Sequence, residues 1–311
     1  MITKRKMNKF IRDAEHGLKD VMISNLSLIA EKLIKDIMVR VRTSSDSKKP
    51  DAIKGLKVSG IYPYKAELKD ALGIIAHKAY FDAQKEVPPK SKKLSEDVQF
   101  SKRRARVIFK RLIPRSRYKS PPTKYFDKKL ETMYFDLPPN VRKLLMIQRD
   151  LLVESQLADL KTAVAFQFST SLFNTDSLDV LVADLQEAAG DFVLGRSISS
   201  GASVTGSKIV NQTRMEYLYG DKATPQVEAY VFINNHTDNR TPICESLAGT
   251  VFSPSDPNRY KFTPPLHYNC RSFIQPILKG NLGNRKIEKL KVSKSNEKYI
   301  QFSEKGFLDG E

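Results

Sequence analysis

The stretch VEAYVFINN, Val227–Asn235, is rich in Val, Tyr, Phe and Ile and alternates along its length. β-Branched and aromatic side chains suit a pleated, partly buried surface, so the run predicts a strand. Two shorter runs, GTVFS (Gly249–Ser253) and SFIQPIL (Ser272–Leu278), predict two more. Everything upstream reads as helix or connector. The expected fold class is therefore α+β and mostly helical: long N-terminal and central helices, a small C-terminal β-containing module, and extended basic segments.

Working outward, Met22, Leu26, Ile29, Leu33, Ile37 and Val41 recur every three or four residues and so share one helix face. The turn formers TSSDSKKPD close that helix near Arg42. A second helix is expected in YPYKAELKDALGIIAHKAYFDAQKEV, with Leu68, Leu72, Ile75 and Ala79 on one face and Pro88-Pro89 as its stop. After Pro138-Pro139-Asn140 a helical pattern runs from Val141 to about Phe173 through Leu144, Ile147, Leu151, Leu157, Leu160, Val164, Phe168 and Leu172. NTDSLDVLVADLQEAAGDFV predicts another helix, with Asp176 and Asp179 at its N-cap. GRSISSGASVTG (Gly195–Gly206) reads as a Gly/Ser loop and SKIVNQTRMEYLYGD as one more helix. From Gly280 onward the chain reads as a polar, basic, extended tail. The expected division is a helical region 1–87, a basic Pro-containing connector 88–138, a central helical block 139–204, a C-terminal module 205–279 and the tail 280–311. No repeat of 20–50 residues is apparent.

Charge narrows the partner. The chain has 53 Lys and Arg against 35 Asp and Glu, a net +18. Residues 90–119 hold twelve of those cations against Glu96 and Asp97. Such density repels itself unless phosphates replace the counterions, which points to nucleic acid; a solubilising basic surface is the plainer alternative. The N-terminus has no apolar core of a signal peptide, and no apolar run is long enough to span a membrane, so a reducing compartment is expected.

Both cysteines and two of the four histidines fall between His236 and Phe273. His267-x-x-Cys270 has the spacing of a ligand pair, and Cys244 with His236 or Asp238 would complete a tetrahedral zinc shell. Alternatively, Cys244 is a small buried hydrophobe and His267 a hydrogen-bonding loop residue. A Cys–His nucleophile is a third reading. No P-loop, HExxH or G-x-S-x-G is present, and no enzyme is expected.

The order of residues in this region is more specific than its metal spacing. IVNQTRMEYLYG, then VEAYVFINNHTDNRTPICESLAGTVFS with its Asp-x-Arg-Thr-Pro-x-Cys and Leu-x-Gly-x-x-Phe, then FTPPLHYNCRSFIQPI, together resemble the C-terminal module of the phage Mu F-like head morphogenesis family. The resemblance covers about residues 205–278. Ser272 stands where many members close with a second Cys, Tyr268 where Pro is usual, and Pro242-Ile243 where some carry an extra Cys.

The resemblance implies a minor head protein of a tailed phage, resident in the virion at the head interior or portal vertex and in the host cytoplasm during assembly. It implies a portal or major capsid protein as partner, several copies around the portal, no membrane, and a part in DNA packaging or ejection. Residues 90–119 and the tail would then meet double-stranded DNA without base readout, through Lys102, Arg103, Arg104, Arg106, Lys110, Arg111, Arg115 and Arg117. Phe109 and Tyr118 are candidates for stacking or for ordinary packing. The apolar helix stripes would dock on the portal, on sister copies, or on one another. Within the module, Asp238, Arg240 and Thr241 would form a polar turn. Gly249 would make a tight turn before its strand, Pro264-Pro265 would stiffen the return, and Arg271 would pair with a carboxylate. Cys244, His267, Cys270 and His236 would staple, around zinc, a module too small to stand on its own core.

Two alternatives belong to other classes. Some proteins with this module carry ADP-ribosyltransferase-like domains, and FSTS (Phe168–Ser171) echoes one strand motif, though within a helical pattern and with no Glu-x-Glu after it. A cytoplasmic nucleic-acid-binding protein would account for the charge but not for the ordered motif.

Overall fold

A computed structural model describes residues 3–88, 133–175, 177–234, 241–267 and 270–304. Helices dominate: α1 (Lys4–Thr43), α2 (Ile61–Glu86), α3 (Pro139–Asn174), α4 (Leu178–Leu194) and α5 (Arg196–Leu218). Then come β1 (Val227–Ile233), the short α6 (Pro242–Leu247), β2 (Val251–Phe252), β3 (Phe273–Leu278) and α7 (Glu297–Glu304). The chain is α+β and mostly helical, as its patterning predicts.

The residues divide into two compact units, neither continuous in sequence. One holds 18–69 and 149–202. Its buried apolar side chains are those of the predicted α1 face, Met22, Leu26, Ile29, Leu33, Ile37 and Val41, with Leu68, Leu157, Leu160, Val164 and Phe168. Leu151 departs from the expected stripe. It is 42% exposed, while Val153 and Gln156 are buried. A stripe drawn at near-helical spacing drifts around a helix this long, and the inward face passes to neighbouring positions. The cap of α4 is Ser177, one residue beyond the predicted Asp176, which lies outside the described residues; the Ser177 side chain accepts from Val180 N. FSTS lies inside α3, where Ser169 and Thr170 donate to Ala165 O and Phe166 O.

The predicted Gly/Ser loop at Gly195–Gly206 is not a loop. Only Gly195 breaks the chain, and α5 runs unbroken from Arg196. The reason lies in packing. A Cβ at Gly206 would sit 3.2 Å from Glu15 N, so this helix approaches α1 more closely than a side chain fits without displacing that backbone. Contact of that kind outweighs the weak helix propensity of Gly and Ser.

The second unit holds 1–17, 70–148 and 203–311 and contains the sheet. The strand order is β2-β1-β3, antiparallel throughout. β1 is buried on both faces. Tyr230 and Phe232 enter a large cluster with Ile243, Phe252, Phe262 and Ile274, whereas Ala229 and Val231 pack with Val251 and Ile277. A register shift between Val227 and Ala229 turns Val227 toward the large cluster.

Two expectations about the module change here. Its core is not all its own: Ala83 of α2 and Val87 just beyond that helix belong to the same cluster as Met215 and Leu218 of the module's helix α5. The tail is also pinned, with Leu290 and Ile300 in that core. Glu288 N bonds Val251 O at 2.7 Å, which forms a bridge beside β2. Leu282 and Tyr299, partly buried, pack against the two clusters as well. No helix among the described residues is long and apolar enough to cross a membrane.

Candidate metal centre

The site is assembled from two returns of the chain. The first follows β1. Thr241 precedes α6, and Pro242 takes a first-turn position whose missing N–H costs nothing. One turn of helix then carries Ile243, Cys244 and Leu247 inward. Gly249, at φ +80°, makes the turn into β2, and its N–H bonds Phe232 O at 2.9 Å. A left-handed residue is needed there, and Gly supplies it without steric cost.

The second return is the Pro-rich run before β3. Phe262 and Leu266 are buried, and the Pro264-Pro265 peptide is cis. Cys270 N bonds back to His267 O at 3.2 Å, so the two ligand-type residues sit on one tight turn. α5 grips that turn from behind. Ser207 Oγ donates to Cys270 O at 2.7 Å, and Asn211 Nδ2 donates to Ser272 O at 3.3 Å.

The two returns meet at three side chains. Cys244 Sγ lies 3.1 Å from His267 Nε2 and 3.8 Å from Cys270 Sγ, and the three ligand atoms lie within 4.8 Å of one another. Both cysteines are free and buried, and the histidine is half-buried. A disulfide would need the sulfurs at about 2.0 Å. Around a tetrahedral zinc with bonds of about 2.3 Å to sulfur, two sulfurs stand about 3.8 Å apart, which is the separation found. A sulfur and a nitrogen would stand about 3.5 Å apart, against 3.1 Å between Cys244 and His267, so binding would adjust the position of the His267 ring. This Cys–His–Cys cluster can hold a metal ion.

The electrostatics suit a cation. Burial opposes ionisation of Cys270. Hydrogen bonds from the Cys244 thiol, from the backbone of Leu266 and Ser272, and from the Ser272 side chain outweigh it and bring the thiol down to about 7. Cys244 is held above its ordinary value, first by donating to Cys270 and then by burial. Of the two sulfurs, Cys270 is therefore the one that ionises first, with the Cys244 thiol as its donor. Ser272 Oγ is buried and outside good hydrogen-bond geometry with its neighbours, yet close enough to both sulfurs to favour their ionised forms.

Arg271 finds its carboxylate in Glu15, to which Nη2 donates at 3.3 Å. Glu15 also accepts from Ser203 Oγ at 3.0 Å. His236, Asp238 and Arg240 lie outside the described residues, as do Lys102, Arg103, Arg104, Arg106, Lys110, Arg111, Arg115 and Arg117.

Sequence reading missed a second polar centre behind the site. Arg214, wholly buried on α5, forms an ion pair with Glu86 at the end of α2, and its Nη2 reaches Ile274 O at 3.4 Å. A cation among the buried residues of α5 was its only signal, because its partner is 128 positions away. No protein-family model matches the chain, nor does any curated protein or solved structure.

Proposed function

We propose that the protein is a structural minor head protein of a tailed phage. In this reading the C-terminal module is fastened by zinc, and the basic residues 90–119 meet packaged DNA without base readout. The observation that carries it is the meeting of Cys244 with His267 and Cys270. These residues come from the two motif blocks, Asp-x-Arg-Thr-Pro-x-Cys and Pro-Pro-x-His-x-x-Cys-Arg, on which the resemblance to the Mu F-like family rests. Blocks that converge on one centre have a common physical purpose, and two thiols and an imidazole with ligand atoms within 4.8 Å of one another suit a structural zinc.

Zinc would be held by Cys244, His267 and Cys270, and His236 is the candidate for the fourth position. Bound metal would tie α6 to the turn before β3. The net charge of +18 supports contact with a polyanion. The portal or the major capsid protein is the assembly partner in this reading.

Mass spectrometry of purified particles tests the whole. The protein should be present in few copies relative to the major capsid protein, and its absence from mature virions and assembling heads would sink the reading. Elemental analysis tests the centre: about one zinc per chain is expected, with loss of metal and a lower melting temperature together in Cys244→Ser and Cys270→Ser.

A further inference from the structure

The tail contains a cationic surface held in place by the module. Leu290 is the centre of the clasp. Its N–H bonds Asp256 Oδ2 at 2.9 Å, its carbonyl accepts from Asn258 Nδ2 at 2.8 Å, and its side chain is buried. Asp256 is itself buried and also accepts from Asn258 N at 2.8 Å. With Glu288 bridged to β2 and Ile300 in the core, the strap between them is tethered at several points.

What the strap presents outward is net positive, six cations against the exposed Glu288 and Glu297. Arg285, Lys286, Lys289, Lys291, Lys294 and Lys298 are all exposed, and none of them pairs with a carboxylate among the described residues. Because Leu290 faces inward in an extended segment, Lys289 and Lys291 both face away from the core, about 6.6 Å apart along the chain. Asn258 joins this point to the loop that carries Arg259 and Lys261. The Arg259 guanidinium is held over the rings of Tyr219 and Tyr260, at 5.3 and 4.5 Å, and donates to Asp256 O.

Holding like charges along a tethered strap is unfavourable in the free protein, and a dense line of phosphates relieves it. The Tyr260 ring carries Arg259 and so holds a cation at the surface, where it can meet a phosphate backbone. We infer that the clasped strap, with Arg259 and Lys261, is a second binding surface, separate from residues 90–119, that takes the phosphate backbone of double-stranded nucleic acid. The inference rests on the DNA contact in the reading above.

The test is fluorescence anisotropy of the full chain with a short mixed-sequence duplex across a salt series. Lys289→Gln/Lys291→Gln should flatten the slope of log Kobs against log salt by about 1.8, near 0.9 for each phosphate no longer neutralised. Asp256→Ala should weaken binding although it makes the chain more positive, because it frees the strap. Asn258→Ala should do the same at unchanged charge and serves if Asp256→Ala fails to fold. Duplex binding by the wild type that none of these variants alters overturns the inference and leaves the DNA contact of residues 90–119 standing. No duplex binding by the wild type overturns both.

Discussion

Arg214 and Glu86 face each other in the interior, with both terminal guanidinium nitrogens donating to the two carboxylate oxygens. The arginine side chain is fully buried and the glutamate nearly so. A two-pronged pair is the geometry in which a buried arginine best recovers its lost hydration. It ties α2 to α5 and, through Ile274 O, to β3.

Removing one partner strands the other. Arg214→Ala should cost about 3–5 kcal/mol, since Glu86 keeps its burial without its cation. Arg214→Met combined with Glu86→Leu should recover much of that loss. Urea unfolding of the single and double variants checks both, and a double variant no more stable than the single one would count against the pair as described.

Two helical glycines should respond to alanine in opposite directions. Gly190, inside α4, has nothing within 4 Å of where a Cβ would stand, so Gly190→Ala should stabilise by up to about 1 kcal/mol through helix propensity alone. At Gly206 the new methyl meets the backbone of Glu15 and Ala14, which cannot rotate away. Gly206→Ala should destabilise by about 1–3 kcal/mol. Thermal melts of the two variants side by side decide it.

The metal-free protein should show two separated thiol ionisations. Thiolate absorbance should rise first near pH 7 as Cys270 ionises, and again only well above the usual range for Cys244. Cys244→Ala removes a donor to the Cys270 sulfur, so the first step should move upward. A first step unchanged in that variant would contradict the thiol–thiolate bond.

His77 should make the fold acid-sensitive. Burial, followed by the charge of Lys85, lowers it to about 4, and Asp136 Oδ2 at 4.0 Å does not offset this. The folded protein keeps the ring neutral where the unfolded chain takes up a proton, so stability present above about 6.5 is lost as pH falls toward 4, by roughly 3 kcal/mol. His77→Leu should narrow the gap between urea midpoints measured at pH 7 and pH 5. An equal gap in both proteins would show that other groups carry the acid response.

The long helices were legible because Met22 through Val41 repeat one period, and the three strands because their residue types suit a sheet. Cys244, His267 and Cys270 were legible as candidates because those residue types are scarce and share one short region. The second half of α5, from Ser207, was legible as a helix; its first half was not, because a propensity scale sees Gly and Ser as breakers and cannot see the helix pressed against Gly206. The Arg214–Glu86 pair was hidden for a related reason: neither residue has a local pattern that names the other. The clasp at Leu290 was masked by its polar neighbours, since one buried leucine in a basic run looks like noise until Asp256 and Asn258 are found on either side of it.

The contact of Arg271 with Glu15 spans 256 positions of the chain. At ordinary rates of synthesis, about 5–20 residues per second, Glu15 emerges on the order of tens of seconds before the arginine that will neutralise it. Ser203 follows Glu15 by 188 positions, and through the whole of the longer interval the first turns of α1 have no Arg271 to meet. The unit that contains them is therefore completed late in translation, and a pause on the ribosome near residue 270 would prolong its most vulnerable state.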